Sequence, residues 1–187
     1  MTKPYFFGYG SLVNQKTHSY ANSHPAKLRG WRRVWRQTVI APRPILTVEP
    51  CKDVSIEGLI AHVPNGDWQA LDAREHAYDR ELVSQNVIHN NNEPLEIATY
   101  VVPPTKYAPA IEPKPIYLSY LDVVVQGYLA VFGQAGAKGF FDSTVGWDAP
   151  IRDDRMDPIY PRHQRLSCAD RDFVDQMLKQ LGCQVSD

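Results

Sequence analysis

The sequence predicts a single α+β domain, and three observations carry that prediction. Strand-type runs crowd the N-terminal half, and helical patterning dominates the C-terminal part. A chain of 187 residues, 43% hydrophobic and 22% charged, is also sufficient for one buried core. No repeat and no low-complexity tract interrupts the chain.

Tyr5, Phe6 and Phe7 are strand-favouring aromatics. The run breaks at Gly8, Tyr9, Gly10 and Ser11, where glycine opens dihedral space closed to other residues, so a strand should feed a sharp turn. Leu28 to Val39, Ile45 to Val48 and Ser55 to Val63 predict three more strands, set apart by proline and glycine. Asn65 or Asp67 can cap a short helix that begins near Trp68 and ends before Tyr78. Tyr78 to His89 and Leu95 to Val102 flank Asn90, Asn91 and Asn92, which predicts an antiparallel hairpin. The five prolines from Pro103 to Pro115 predict an extended crossing to a second helix, Ile116 to Phe132. Ser167 with Asp170 reads as a capping pair for a terminal helix whose Phe173, Val174, Met177, Leu178 and Leu181 share a face until Gly182.

Composition narrows the function. With 20 basic and 21 acidic residues the net charge is -1, so no summed field draws the chain to nucleic acid or anionic lipid, and a small-molecule partner fits better. No apolar run approaches the roughly 20 residues that span a bilayer, and the N-terminus lacks a signal-sequence pattern, which predicts a cytoplasmic protein. Cys51, Cys168 and Cys183 have no metal-type spacing and are expected to be reduced thiols, each buried as a small hydrophobe.

On a 3.6-residue period Trp68, Leu71, Asp72 and Glu75 fall on one side of the short helix, which turns the Glu75 carboxylate toward the core. Burial disfavours the ionised form and raises the pKa, as a group that takes and returns a proton near neutrality requires. The competing assignment is an ion pair of Glu75 with Arg74, Arg80 or another basic side chain at a solvated rim. Other chemistries fit poorly. Val13 stands where a dinucleotide loop needs its third glycine, and Ser11 lacks the flanks of a nucleophile elbow. The acids Asp153, Asp154 and Asp157 alternate with Arg152, Arg155 and Arg162, which reads as a solvated loop in preference to a hard-metal site.

Phe7-Gly8-Tyr9-Gly10-Ser11-Leu12, followed some way on by Leu71-Asp72-Ala73-Arg74-Glu75, resembles the gamma-glutamylcyclotransferase-like family. The likeness extends through Leu28 to Trp31, Glu57 to Leu59 and Ala98 to Tyr100, and more weakly along Tyr117 to Gly136. It implies a compact mixed β-barrel of about five to seven strands flanked by helices, holding neither metal nor organic cofactor. It also implies an enzyme that converts a gamma-glutamyl compound to 5-oxoproline and a free amine. Carried over by position, Glu75 matches the catalytic acid/base, Tyr9, Gly10, Ser11 and Leu12 match the loop that binds the glutamyl group, and Tyr100 matches a pocket tyrosine. The chain departs from the pattern at His76, where many members have glycine, and Asp142 to Arg162 has no counterpart. Substrates in such a family range over glutathione, gamma-glutamyl dipeptides and gamma-glutamyl biosynthetic intermediates. The alternative function is a binding module that keeps the pocket without turnover.

Overall fold

The computed structural model describes residues 2–109 and 113–186. Ala110, Ile111 and Glu112, inside the expected proline-rich crossing, lie outside the described residues. The chain runs β1 (Lys3–Gly8), β2 (His24–Arg36), β3 (Ile45–His62), α1 (Gln69–Arg74), β4 (Asp79–Leu82), β5 (Val87–His89) and β6 (Leu95–Val101). It continues through β7 (Ile116–Tyr117), α2 (Leu118–Asp142), β8 (Thr144–Val145), β9 (Ile151–Arg152), α3 (Cys168–Leu181) and β10 (Val185–Ser186).

The main sheet follows the order β4-β6-β1-β3-β2-β5, with β8 added beside β2. β4 and β5 sit at opposite edges of that path, yet only Val83 to Asn86 separate them in sequence. Laid flat, five strand spacings would hold those edges about 24 Å apart, whereas the chain from Leu82 to Val87 can span only about 17 Å. The sheet therefore curls into a partly closed barrel. β1 lies at its centre, antiparallel to β3 and parallel to β6, with Phe7 opposite both Ile60 and Thr99.

Alternation along β1 serves two cores. Phe7 packs into the main cluster with Val48, Ile60 and Ile97 and with Leu121, Val124 and Tyr128 of α2. Phe6, on the opposite face, joins Leu12, Ala61, Leu71 and Tyr100, which seats α1 against the sheet through Leu71. α2 is capped by a distant residue: Ser119 N–H donates to Asp154 Oδ1 at 2.7 Å and Ser119 Oγ to Asp154 Oδ2 at 2.5 Å. Arg155 forks onto Asp122 of α2 at 2.8 Å through both Nε and Nη2, and reaches Asp175 of α3 at 2.8 Å.

Several expectations are corrected. Ile45 to Val48 and Ser55 to His62 belong to one long strand, because Glu49 and Pro50 extend the pairing with β2 and Cys51 to Val54 bulge opposite the register shift at Arg29/Trp31. Of the expected hairpin only β4 pairs with β6; β5 crosses to pair with β2 and so helps close the barrel. Ile116 and Tyr117 form a strand beside β9, and the second helix begins at Leu118 and resumes beyond a break at Gly133 (φ 67°) to reach Asp142. Asp67, not Asn65, accepts the Gln69 N–H at 3.0 Å, while Asn65 takes φ 56° in the preceding turn. The acidic stretch is solvated only in part: Asp157 is exposed, but Asp154 is buried where it caps α2. The thiols are free, but Cys168 is exposed on the first turn of α3 and Cys51 and Cys183 are half-buried. The Ser167 cap (3.1 Å to Asp170 N–H) and the Gly182 stop of α3 agree with the sequence.

Candidate active site

Glu75 closes α1. Its N–H donates to Leu71 O at 2.9 Å, so the helix holds the residue's backbone while the side chain turns inward, 15% exposed. It faces a small cavity of about 20 Å³ lined also by Tyr9, Gly10, Ser11, Leu12 and Tyr100. All six residues singled out by the sequence meet there, joined by Leu46, Tyr78 and Tyr120.

The turn reaches the cavity because β1 ends at Gly8 and Ser11 to Val13 wind into a single 3-10 turn, with Val13 N–H on Gly10 O at 3.0 Å. The N-cap residue, Gly10, has no side chain to cap that turn, so its opening N–H groups, with the Tyr120 hydroxyl beside Ser11, face a bound group. The glycines are needed for space: a Cβ on Gly8 would lie 2.6 Å from Leu12 Cβ, and one on Gly10 2.9 Å from Tyr120 Oη. Tyr9 Oη donates to Tyr100 O at 2.5 Å, which fixes the turn against β6. The Tyr9 carbonyl accepts from Arg33 Nε at 3.1 Å and from Tyr128 Oη at 2.9 Å, which fixes it from behind.

Burial raises the Glu75 pKa above the usual carboxylate range, and Arg74, then Arg162 and His76, oppose that rise. Arg74 Nε lies 3.0 Å from Glu75 Oε1, so the ion pair weighed as the competing assignment exists, but inside the protein, with the Arg74 side chain only 9% exposed. The same guanidinium donates to Thr17 O at 2.9 Å and to Ser11 Oγ at 3.3 Å, coupling the acid to the turn. Arg80 lies elsewhere, bonded to Asp72 at 3.0 Å and stacked 4.4 Å from the Trp68 ring. Burial pushes the phenols of Tyr9, Tyr78, Tyr100 and Tyr120 upward, so the wall is neutral. The Tyr100 hydroxyl donates to Asp72 Oδ1 at 2.6 Å, not to Glu75.

A second chamber of about 220 Å³ shares Ser11, Leu46, Glu75, Tyr78 and Tyr120 with the first and opens past Arg43, His76, Tyr160 and Arg162. Glu75 therefore stands at the boundary of an inner and an outer space. The segment Asp142 to Arg162 supplies Tyr160 and Arg162 to the outer one. Sequence reasoning did not find Arg33, Arg43, Tyr120, Tyr160 or Arg162, because no local spacing marks residues that only topology assembles. Among the described residues no group of His, Cys, Asp and Glu is arranged to hold a metal ion, and no helix is long and apolar enough to cross a membrane.

A family model described as "Gamma-glutamyl cyclotransferase, AIG2-like" matches residues 6–118. No curated protein sequence matches the chain. Among solved structures it is similar to YkqA from Bacillus subtilis (TM-score 0.58, 16% identity), over 78% of this chain and 57% of that one, so it spans little more than half of YkqA. It is similar to an uncharacterized protein, loc79017, from Homo sapiens (TM-score 0.59, 13% identity), over 91% of this chain and 97% of that one. It is also similar to a structure described as a gamma-glutamyl cyclotransferase (TM-score 0.57, 12% identity), over 92% and 98% of the two chains. At these identities the likeness is one of fold.

Proposed function

Because the chain belongs to the gamma-glutamyl cyclotransferase, AIG2-like family, we propose that it is a gamma-glutamylcyclotransferase-type enzyme in which Glu75 carries the proton. The observation that supports this most directly is the Glu75 carboxylate on the wall of a cavity whose other side is the Tyr9 to Leu12 turn. A gamma-glutamyl compound holds its own nucleophile, the α-amine, four bonds from its γ-carbonyl carbon, so that attack closes a five-membered ring. The protein then has to hold the folded conformer and move protons, with no nucleophilic side chain.

Arg74 occupies Oε1 of Glu75, which assigns the proton to Oε2. Glu75 starts as carboxylate and takes one proton from the α-ammonium; the freed amine attacks the γ-carbonyl and the C–N bond of the ring forms. The opening N–H groups of the Ser11 to Val13 turn receive the oxyanion or the glutamyl carboxylate. Glu75 returns its proton to the departing nitrogen as the old C–N bond breaks, and the ring nitrogen's surplus proton follows the same route. The amine leaves as ammonium and the carboxylate is restored. Burial raises the Glu75 proton affinity while Arg74 restrains it, so the group can both accept and donate.

Incubation with glutathione, gamma-glutamyl dipeptides and gamma-glutamyl-lysine, followed by assay of 5-oxoproline, tests the reading. At least one of these substrates should turn over, and Glu75→Gln should lower its kcat by about 10²–10⁴-fold. A ligand-dependent rise in melting temperature with no 5-oxoproline from any substrate would favour the binding-module alternative.

A further inference from the structure

The carbonyl side of the glycine turn is gripped by a segment that the ring-closing scheme does not use. Gly10 O accepts from Val13 N–H at 3.0 Å, and Ser11 O accepts from Asn14 N–H at 3.1 Å and from Thr17 Oγ1 at 3.0 Å. No main-chain N–H serves Leu12 O among the described residues; its partner is His18 Nε2 at 3.0 Å. A carbonyl only accepts, so Nε2 carries the proton. Nδ1 of the same ring takes the Tyr20 N–H at 3.2 Å, and because that group only donates, Nδ1 is bare. Two main-chain groups thus select one neutral tautomer. The surroundings favour it as well. The ring is half-buried and edge-on to Phe6 of β1, with centroids 5.8 Å apart at 87°. Burial lowers the His18 pKa against the pull of the Leu12 bond, and Arg74 of α1 adds to the lowering.

The segment that carries His18 has a fixed base. Asn14 is buried against α2, where it donates to Val123 O at 2.9 Å and to Gln126 Oε1 at 3.0 Å. Gly127 lets the helix come that close, since a Cβ there would lie 2.6 Å from Asn14 N. The far side is tied to the acid: the guanidinium that pairs with Glu75 also donates to Thr17 O at 2.9 Å and to Thr17 Oγ1 at 3.2 Å. Thr17 and His18, neighbours in sequence, therefore hold consecutive carbonyls of the turn from a segment braced on α2 and on Arg74. We infer that His18 is a positioning residue, whose Nε2–H tautomer sets the Leu12–Val13 peptide and with it the donors that the turn presents to the cavity. That peptide is held at both ends, by His18 at Leu12 O and by Gly10 O at Val13 N–H, which restrains the adjoining Leu12 N–H. His18 lines neither chamber, so it acts through the turn and not on substrate. The inference deepens the ring-closing reading and rests on it for the role of those donors, which lose their value when displaced from a developing charge.

Two substitutions separate the ring's two contacts. His18→Gln places an amide nitrogen near Nε2, within reach of Leu12 O, whereas His18→Asn reaches only as far as Nδ1 and the Tyr20 N–H. With whichever gamma-glutamyl substrate turns over, His18→Asn should lower kcat/KM about tenfold and His18→Gln about threefold or less, the scale of one buried acceptor left without its donor. Equal kinetic losses in the two variants, or a loss confined to melting temperature, overturn the inference and leave ring closure intact, since wild type still releases 5-oxoproline. If wild type releases none from any substrate, ring closure fails, and NMR decides the hold on the turn. The imidazole nitrogen spectrum of wild type at neutral pH needs no variant to fold: a protonated Nε2 with a bare Nδ1 upholds the hold, and a proton on Nδ1 overturns it. Leu12 and Val13 amide signals should move more in His18→Asn than in His18→Gln, and equal movement in both overturns it too.

Discussion

Arg33 and Arg74 grip the same turn from opposite sides and are satisfied by different chemistry. Arg33 is 1% exposed and faces no carboxylate within ion-pair distance among the described residues. Its donors end on Tyr9 O, Glu57 O, Tyr128 Oη and Ser143 Oγ, and its guanidinium lies 5.0 Å and 5.2 Å from the Tyr128 and Phe140 rings. Burial pushes the Tyr128 phenol up to about 12, so it stays a neutral donor to Tyr9 O. Arg74 ends instead on a carboxylate that titrates. A buried cation satisfied by dipoles and ring faces holds shape without coupling to pH, whereas one paired with an acid ties the turn to a proton affinity. The rear of the turn is scaffold and the front is chemistry.

The largest effect that can break this division is on stability. Arg33→Met leaves the Tyr9 and Glu57 carbonyls to share the single Tyr128 hydroxyl, so one of them loses its donor at about 1–3 kcal/mol, and the substitution should cost about 2–4 kcal/mol in urea unfolding. Arg33→Lys should recover little of it, because an ammonium cannot reproduce the fork. A loss under about 1 kcal/mol in Arg33→Met would mean that the turn is held by other contacts.

The front is sharpened by pH. Glu75 must begin as carboxylate, and Arg74 is the main charge opposing the rise that burial imposes on its pKa. Arg74→Gln should therefore move the acid limb of the kcat/KM profile to higher pH, with a loss of about tenfold at neutral pH that shrinks as pH rises. Arg162→Gln should move the limb the same way by less, since Arg162 is the smaller opposing charge. A uniform fall at every pH with an unmoved limb would make Arg74 a mere brace for Thr17 and Ser11.

How much of this the sequence discloses follows from the range of the interactions. The front is largely legible: the period of α1 points Glu75 inward, and the Gly8 to Leu12 turn declares itself by composition. The curled sheet is legible only in part, because nothing local tells β5 to leave its neighbour and pair with β2. Arg33 is hidden by an irregularity in β2. Ala26 and Leu28 enter the core on even positions, but past Gly30 (φ 77°), where the register against β3 shifts, Arg33 and Trp35 enter on odd ones. Simple alternation from Leu28 would have turned Arg32 inward. Composition marks the glycines of the turn, but not the steric pressure that Leu12 and Tyr120, the latter far along the chain, put on them.

The smallest effect concerns Tyr100, a residue that joins the two sides. Its side chain lines the inner cavity, but its hydroxyl is spent on Asp72 at 2.6 Å, while its main-chain oxygen accepts the Tyr9 hydroxyl at 2.5 Å. If the backbone contact is what the site needs, Tyr100→Phe should lower kcat/KM by less than about threefold and stability by about 1 kcal/mol, the worth of one hydrogen bond. Tyr9→Phe deletes the contact itself and should cost more on both measures, because it leaves a carbonyl inside the protein without its donor. A larger kinetic loss from Tyr100→Phe than from Tyr9→Phe would reverse that order and make the Tyr100 hydroxyl part of the chemistry, with Asp72 as its partner.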